Sequence, residues 1–342
     1  MLKEILKSCM EGHTMTKTEA EKAMNQIMNG EATPSQIASL LTIMRFRGET
    51  VDEMTGFARS MRAHSVKIPA DDLPVVDTCG TGGDDLGTFN ISTATAIVLS
   101  AIGVPVAKHG NRAVSSKSGS ADVLEELKIS IQHSPEEAYR SLQESNLCFL
   151  FAPLYHQSMK HAVAPRKEIG FRTIFNMLGP LTNPANAKYQ LIGVYDTEFA
   201  AKMAETLGRL GTTRTLFVTG GEGLDELSIT NESTVIEVNG TDITTYTLTP
   251  EDVGLKRGKL EEIQVATPAE SAALIEKILK GTANPSAEGI VMFNAAAALY
   301  AAKRVESINE GVELVSAAIK SGSVYQHFQT LQTEKEETEQ HA

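Results

Sequence analysis

The segment from residue 75 to 122 limits the possible folds more than any other part of the sequence. An apolar run at residues 73–76 predicts a buried strand, and the glycine-rich pentapeptide GTGGD follows at residues 80–84. The tetrapeptide NIST at residues 90–93 then precedes an uncharged apolar stretch that predicts a helix over residues 94–102, capped by the serine or the threonine. A strand, a glycine turn and a capped helix direct unpaired N–H groups and a positive helix end towards an anion. The segment therefore predicts a phosphate-binding site.

The distribution of charge supports this prediction. The chain carries 43 acidic and 31 basic residues, yet residues 86–121, the acid-free segment, contain no Asp or Glu. Lys108, His109 and Arg112 fall inside it, after a second strand predicted at residues 104–107. Cationic and hydroxyl donors of this kind suit a ligand with several phosphoryl oxygens. We expect the two bends to form a carboxylate-free pocket that accepts phosphate groups.

The glycine pattern also has a purely structural interpretation, since a glycine turn between strand and helix can serve close packing alone. Two donor-rich loops after neighbouring strands favour phosphate binding over that interpretation. The pattern is not a P-loop, because no Gly-Lys-Ser/Thr follows four residues after a first glycine. It is not a dinucleotide fingerprint either, because no G-x-G-x-x-G opens a helix.

The rest of the chain predicts two domains and a tail. Residues 1–66 carry four helical patterns and no strand pattern, which predicts a helical N-terminal domain. Residues 72–325 alternate short apolar strands with helices, which predicts an α/β domain with a mostly parallel sheet. A basic helical stretch near 154–184 interrupts the alternation and can return to the helical domain, and residues 326–342 predict a polar tail. The remaining strands are predicted at 147–151, 189–194 and 215–218, with a hairpin of 234–238 and 243–248 around Asn239-Gly240.

A second loop of interest is GGEGLDELS, residues 220–228. It follows a predicted strand, at the carboxyl end where open α/β sheets bind ligands. Asp225 and Glu226 are candidate Mg²⁺ ligands, because this ion keeps several waters and bridges carboxylates to substrate phosphates. Local sequence alone leaves open that the two acids are an ordinary charged pair on a surface loop.

Composition excludes several other classes of protein. A formal charge of −12 argues against nucleic-acid binding, which depends on basic patches. Three cysteines, Cys9, Cys79 and Cys148, are too few and too irregular for a disulfide framework or a zinc site. No apolar run is long enough to span a membrane and no secretory leader is recognisable, so we expect a cytoplasmic protein without membrane contact.

Several long motifs then indicate a family. The strings GTGGD, NIST, KHGNRAVSS, GSADVLE and LDELS, with a longer motif of the form RxEIGxRTxFNxLGPLTNP, resemble the anthranilate phosphoribosyltransferase family of tryptophan biosynthesis, over residues 3–325. The resemblance implies transfer of the 5-phosphoribosyl group from phosphoribosyl diphosphate to the amine of anthranilate, with diphosphate released. It also implies the fold class: α/β, with a small all-helical N-terminal domain plus a larger α/β domain around a mostly parallel central sheet, as in nucleoside phosphorylases and phosphoribosyltransferases. A homodimer through the helical N-terminal face is implied as well.

The resemblance assigns residues to substrate and metal binding. It assigns none of them as a catalytic general acid or general base. It implies two Mg²⁺ ions, one held by Ser92 and Glu226 and one by Asp225 with Glu226. Anthranilate would lie against Gly80, Asn111 and Arg166. The residues implied to bind phosphoribosyl diphosphate belong to the two loops and the helix start between them: Gly80, Gly83, Asp84, Thr88, Asn90, Ile91, Ser92, Thr93, Lys108, His109, Gly110, Asn111, Arg112, Ala113, Val114, Ser115, Ser116 and Ser120.

Two of these assignments have alternatives. A guanidinium is the planar, bidentate partner that an aromatic carboxylate requires, but Arg166 could instead pair with Glu168 or be an ordinary surface charge. His109 could accept the proton lost from the amine, although the ortho carboxylate of anthranilate is a nearer acceptor.

Two other functions remain as rivals. A pyrimidine nucleoside phosphorylase would need Lys-His-Ser-Thr-Gly-Gly in the first loop, where this chain has residues 77–83, DTCGTGG. A non-catalytic, nucleic-acid-binding relative is disfavoured by the net acidity and by the intact pair Asp225 and Glu226.

Overall fold

The structure of the chain, a computed structural model, describes residues 1–113 and 118–341, with side chains up to residue 332. The first four helices precede any strand and the sheet follows. The elements are α1 Leu2–Met10, α2 Lys17–Met28, α3 Pro34–Arg47, α4 Val51–His64, β1 Val76–Gly80, α5 Ile91–Ala101, β2 Val106–Gly110, α6 Ser120–Glu126, α7 Pro135–Ser145, β3 Leu147–Phe151, α8 Ala152–Tyr155, α9 Lys160–Ile169, α10 Ile174–Leu178, β4 Tyr189–Gly193, α11 Thr197–Leu210, β5 Arg214–Gly220, β6 Ser233–Asn239, β7 Asp242–Leu248, α12 Pro268–Leu279, α13 Pro285–Ala301, α14 Ile308–Lys320 and α15 Ser323–His341.

The N-terminal helices begin where the sequence supplies caps. Thr16, Thr33 and Thr50 precede α2, α3 and α4, and each side chain accepts a hydrogen bond from the backbone N–H three residues on. The Glu or Gln side chain at that third position accepts a hydrogen bond from the backbone N–H of the capping threonine. Each of these helices therefore begins with a complete capping box. The Thr-x-x-Glu/Gln spacing in the sequence therefore sets where these helices begin.

The seven strands form one sheet in the order β3-β2-β1-β4-β5-β6-β7. Pairing is parallel from β3 to β5 and antiparallel for β6 and β7, so the predicted α/β fold class with a mostly parallel sheet is confirmed. The chain runs from β1 outwards to β3 and then returns to the other side of β1 with β4. Loops that leave β1 and β4 diverge there, which opens a crevice at their carboxyl ends.

Two strands and one helix differ most from the predicted bounds, and the other strands differ by two residues or fewer at either end. The strand predicted at 73–76 is β1, Val76–Gly80, and that predicted at 104–107 is β2, Val106–Gly110. Both real strands continue through polar residues whose side chains find partners in the interior, whereas the prediction followed the apolar letters and stopped too early. The helix predicted at 94–102 begins at Ile91 with Asn90 as its N-cap, so the serine and threonine of NIST lie in the first turn instead of capping it.

The helical region and the sheet are joined by a shared core. Side chains of α1–α4 pack in one apolar cluster with residues of α10, α11, β4 and β5. The stretch 152–182 leaves the sheet, and its helix α9 packs on α3. At the C-terminus, α15 includes the predicted tail, and its Phe328 and Leu331 are buried in the main core. Within the described ranges, every helix is too short or too polar to cross a membrane.

Candidate active site

The loop after β1, residues 80–85, is here called the glycine loop, and it lies at the crevice between β1 and β4. Its Gly82 N–H donates to the Asp225 Oδ2 atom over 2.8 Å. A Cβ on Gly80 would lie 2.6 Å from the same Oδ2 atom, and one on Gly193 at the end of β4 would overlap the Asp225 backbone. Glycine is therefore required at Gly193, where the backbone of the loop after β5 crosses, and at Gly80 it leaves room for the Asp225 carboxylate.

Lys108 on β2 lies beneath this crossing and is only 2% exposed. Its Nζ donates to the carbonyl oxygen of Thr78 and, over 3.0 Å, to the Oγ of Ser92 at the start of α5. Burial lowers the pKa of Lys108, while the nearby carboxylates of Asp77 and Glu226 oppose that shift. One ammonium group thus joins β1, α5 and the acidic loop.

Three acids, Asp84, Asp225 and Glu226, lie close enough to affect one another's ionisation. Burial raises the pKa of all three. For Glu226 the pKa rises to about 8, with the charge of Asp84 adding to the effect while Lys108 and the Ser92 N–H oppose it. For Asp225, repulsion from Asp84 and Glu226 reinforces the effect of burial. A partly buried group of repelling carboxylates is the kind of site that a bound cation stabilises.

The expectation of a carboxylate-free pocket is therefore wrong. The acid-free segment does form one wall, through Ser92 and Lys108, but the chain folds Asp225 and Glu226 against it from more than 100 residues away. The absence of acids along a stretch of sequence says nothing about the acids that other elements bring to it.

The second loop spans residues 110–120, and hydrogen bonds join its two described parts, residues 110–113 and 118–120. The Asp122 Oδ2 atom accepts from the backbone N–H groups of Ala113 and Gly119, and the Ser120 Oγ donates to the carbonyl of Asn111. A Cβ on Gly110 would strike the Oγ of Ser120, so this glycine allows the loop to close. Val114, Ser115 and Ser116, which the resemblance assigns to phosphoribosyl diphosphate, lie outside the described residues.

Arg112 is placed differently from its expected role. Its guanidinium forms ion pairs with Asp122 and Glu125 and lies over the ring of Phe151, with the side chain 45% exposed. The cation is thus neutralised at the outer edge of the second loop. Lys108, in contrast, is directed into the site.

Four further assigned residues surround the start of α5. The Asn90 N–H donates to the Oγ of Ser271, and the Thr93 hydroxyl donates to the Asn90 side chain. Ile91 and Thr93 are buried, so only their backbones can face a ligand. Thr88 forms an isolated bridge with Gln264. The structure therefore supports a packing role for the side chains of Ile91 and Thr93 at the helix start.

His109 lies on the opposite face of β2 from Lys108, as neighbouring residues of a strand must. Its Nδ1 is 3.2 Å from the carbonyl oxygen of Gly179, and its ring lies 5.1 Å from that of His156. Burial, with the neighbouring His156 next in effect, lowers the pKa of His109 to about 3, and burial lowers that of His156 to about 4. Both rings are therefore neutral near pH 7, and His109 is separated by the sheet from the Lys108 side chain.

Arg166 on α9 lies over the ring of Phe175, with its Cζ 4.9 Å from the ring centroid. The side chain is half-buried, and burial lowers its pKa. In the described ranges no carboxylate lies within ion-pair distance of it, Glu168 included, so the alternative of an Arg166–Glu168 pair is wrong. Its guanidinium is held by an aromatic ring and keeps its hydrogen-bonding capacity.

Comparison with known proteins assigns the chain to a family. Residues 3–65 match the glycosyl transferase family helical bundle domain, and residues 72–325 match the glycosyl transferase family a/b domain. An anthranilate phosphoribosyltransferase of Halalkalibacterium halodurans is 68% identical over the whole of both chains. This chain belongs to the anthranilate phosphoribosyltransferase family.

Solved structures agree with this assignment. The anthranilate phosphoribosyltransferase of Thermus thermophilus is 41% identical, with a TM-score of 0.91 over 97% of this chain and 99% of that one. That of Saccharomyces cerevisiae, in complex with PRPP and Mg, is 26% identical with a TM-score of 0.89 over 98% of each chain. The family predicted from the motifs is therefore confirmed, and neither rival function is needed.

Sequence reasoning missed one buried network of this anthranilate phosphoribosyltransferase fold. The carboxylate of Asp77 accepts from the backbone N–H of His109 over 3.1 Å and from the Asn183 side chain over 2.7 Å. Asn183 also donates to the carbonyl of Ala107, so the network fixes β2 against the segment before β4. An aspartate inside a buried strand and an asparagine in the motif LTNP were the available signals.

Proposed function

We infer that this chain transfers the 5-phosphoribosyl group of phosphoribosyl diphosphate to the amine of anthranilate, giving N-(5-phosphoribosyl)anthranilate and diphosphate, in L-tryptophan biosynthesis. One observation carries the assignment of this reaction to the crevice. The glycine loop, the buried Lys108 and the acids Asp225 and Glu226 meet at the point where the strand order reverses, beside the N-terminus of α5. Anion donors and cation ligands are thus combined where an open α/β sheet binds ligands.

The chemistry explains this combination. Departure of diphosphate from the anomeric carbon leaves an oxocarbenium-like centre and places negative charge on the leaving group. The N–H groups of the glycine loop, the start of α5 and the Lys108 ammonium are fixed before the reaction begins, so they stabilise that charge without reorganising. No covalent nucleophile is required.

The enzyme uses Mg²⁺, and the acids fit this ion. The Asp84 Oδ2 atom is buried without a hydrogen-bond partner in the described ranges, and the carboxylates beside it repel one another. We propose two ions, one held by Ser92 and Glu226 and the other by Asp225 with Glu226. The described side chains do not form a group of three or more metal ligands by themselves, which suits an ion that completes its coordination with water and phosphate oxygens. Bound there, Mg²⁺ neutralises charge on the diphosphate.

The acceptor is proposed to lie against Gly80, Asn111 and Arg166, with its carboxylate on the guanidinium. Arg166 suits this role because its planar guanidinium is fixed on Phe175 and has no carboxylate partner in the part of the chain that the structure describes. The aromatic amine is weakly basic and neutral near pH 7, so it needs positioning rather than deprotonation. The ortho carboxylate remains the proposed proton acceptor, since the His109 ring lies across the sheet from Lys108.

The decisive experiment follows the fluorescence of anthranilate. We expect the signal to decrease when the protein, phosphoribosyl diphosphate and Mg²⁺ are all present, and to stay constant when any one of them is omitted. Decay without the ribosyl donor would exclude phosphoribosyl transfer as its cause. A constant signal in the complete mixture, with folded protein, would contradict the proposed function.

We also propose a homodimer formed through the helical region. Six large apolar side chains are exposed on α1 and the residue before it, on α3, and on the segment from α8 to the turn after α9, and both α1 and α9 pack on α3. Phe46 is the most exposed of them, at 93%. Exposed apolar groups concentrated on neighbouring helices are typical of a protein–protein contact. The six are Met1, Met10, Phe46, Leu154, Val163 and Phe171.

We place the enzyme in the cytoplasm. Cys9, Cys79 and Cys148 are all buried and unpaired in this structure. Burial raises the pKa of each thiol, which keeps it protonated and unreactive. Free thiols without a disulfide suit a reducing compartment, and localisation of a tagged chain by fractionation tests this.

A further inference from the structure

Arg172, which has no assigned role in substrate binding, connects the two sides of the crevice. It lies in the segment between α9 and α10, and its Nη1 donates over 2.6 Å to the carbonyl oxygen of Gly83 in the glycine loop. Its Nη2 is 3.2 Å from the Asp85 carboxylate. The guanidinium also lies 4.9 Å from the centre of the Tyr195 ring, which follows β4. One side chain therefore spans the loops that leave β1 and β4.

The glycine loop is shaped to receive this side chain. Gly83 has φ +89, and a Cβ placed on it would overlap the guanidinium of Arg172. The positive φ favours glycine at this position, and the absence of a side chain leaves room for the guanidinium. On its other side the loop is fixed by Asp225, which accepts from the Gly82 N–H. The peptide groups that flank the Gly82–Gly83 bond are thus held by side chains from two different parts of the chain.

The individual contacts of Arg172 differ in strength. The Asp85 side chain is 71% exposed, so its ion pair with Arg172 contributes little. The bond to Gly83 is charge-assisted and half-buried, and the Tyr195 ring restricts the guanidinium to one plane. Arg172 therefore acts mainly on the backbone of the glycine loop.

We propose that Arg172 is a positioning residue that fixes the glycine loop for phosphoribosyl diphosphate, although it lies close in the chain to Arg166 on α9. This proposal rests on the proposed function of the glycine loop as the site of the ribosyl donor. It gives Arg172 a kinetic signature opposite to that of Arg166, six residues earlier. Loss of Arg172 should weaken binding of the ribosyl donor, and loss of Arg166 should weaken binding of the acceptor, anthranilate.

The test compares Arg172→Ala and Arg172→Lys with the unaltered enzyme. We expect Arg172→Ala to raise the Michaelis constant for phosphoribosyl diphosphate about tenfold or more, which is the loss expected for one charge-assisted hydrogen bond. The Michaelis constant for anthranilate should change less than threefold. Arg172→Lys should recover part of the donor affinity, because an ammonium can bond the Gly83 carbonyl but cannot stack on Tyr195. Isothermal calorimetry with the donor and Mg²⁺, without anthranilate, should rank the donor affinities in the same order: the unaltered enzyme, then Arg172→Lys, then Arg172→Ala.

The matched control is Lys167→Ala, which removes an exposed cation of the neighbouring helix α9 but leaves the bond between Arg172 and Gly83, and should change neither constant more than twofold. Thermal unfolding of each variant shows whether it is folded. If Arg172→Ala is unstable, the Michaelis constants of Arg172→Lys decide the test. An equal rise in both Michaelis constants, or a donor constant within twofold of the unaltered enzyme, would overturn the role of Arg172. Failure of the unaltered enzyme to bind the donor would instead overturn the proposed function.

Discussion

Arg166 and Lys108 are both cations whose pKa is lowered by burial, but their surroundings give them different roles. The Lys108 ammonium already donates to Thr78 and Ser92, so it fixes the floor of the site while carrying charge. The Arg166 guanidinium rests on Phe175, and no acceptor bonds it in the described part of the chain. Of the two, Arg166 is free to take up a carboxylate.

We therefore expect Arg166→Ala to raise the Michaelis constant for anthranilate about 30-fold, because the carboxylate would lose a charged hydrogen-bonded contact. The Michaelis constant for the ribosyl donor should rise less than threefold. Steady-state kinetics with each substrate varied in turn measures both. Lys167→Ala, an exposed cation one position further along α9, is the control and should leave both constants unchanged. An equal effect of Arg166→Ala on both constants would remove this residue from the acceptor site.

At the scale of elements, the loop after β5 decides the site, because it places Asp225 and Glu226 over the ends of β1 and β4. The loop is anchored from α13, where the buried Asn294 side chain bonds both the N–H and the carbonyl of Leu227. An anchored loop can hold two mutually repelling acids in place until a cation arrives.

Replacement of both acids, Asp225→Asn with Glu226→Gln, should reduce Mg²⁺-dependent turnover at least about 100-fold, since the charge of the leaving diphosphate would lose its metal ions. A magnesium titration of turnover measures the loss. As a control, Glu232→Gln removes an exposed carboxylate from the same loop and should leave Mg²⁺-dependent turnover unchanged. Retained turnover in the double variant would exclude the two acids as metal ligands.

At the scale of the whole molecule, the sheet separates two environments. Its α5 face holds Lys108 and the acids, and the opposite face holds the neutral pair His109 and His156 beside the turn at residues 179–182. The helical region shares its core with α11 and the middle of the sheet, so both environments depend on one cooperative fold. Acid should therefore affect global stability through the buried histidines.

The two histidines predict the direction of this pH dependence. In the unfolded chain each binds a proton near its ordinary pKa of about 6.5, but in the native state they do so only at about 3 and 4. The unfolded state thus gains protons first as the pH falls, so stability is lost from about pH 6.5 down to about pH 4 for His156 and about pH 3 for His109. Between pH 7 and pH 5 each histidine should remove about 2 kcal/mol of unfolding free energy.

Urea unfolding at several pH values tests this prediction. The double variant His109→Gln with His156→Gln should show a flatter pH profile than the unaltered chain, whatever its stability at pH 7. His13→Gln, at an exposed position, should keep the original profile. Parallel profiles for all three proteins would contradict the proposed proton uptake.

Assembly is the other property of the whole molecule. Analytical sedimentation at micromolar concentration should give about twice the chain mass of 36.8 kDa. Phe46→Glu should shift the protein towards the monomer with little change in its fold, because that side chain is 93% exposed. A monomer at micromolar concentration before any substitution would contradict the homodimer.

The sequence by itself determined the features that depend on neighbouring residues. Thr-x-x-Glu/Gln spacings set the starts of α2, α3 and α4, and Asn239-Gly240 marked the hairpin of β6 and β7. Alternating strands and helices gave the α/β class, and long motifs gave the family and most candidate site residues. Caps, turns and periodicity are local, since backbone conformation and hydrogen bonding within a few residues decide them.

Only the tertiary structure decided which polar groups meet. Gly82 and Asp225 are 143 residues apart in the chain, Asp77 and Asn183 are 106 apart, and Gly83 and Arg172 are 89 apart. Strands β1 and β2 continue through Asp77 and Lys108 because partners on other elements satisfy these polar groups in the interior, which a local apolar pattern cannot indicate. For the same reason the acid-free segment became one wall of an acidic site, and the arginine that fixes the glycine loop became visible only in three dimensions.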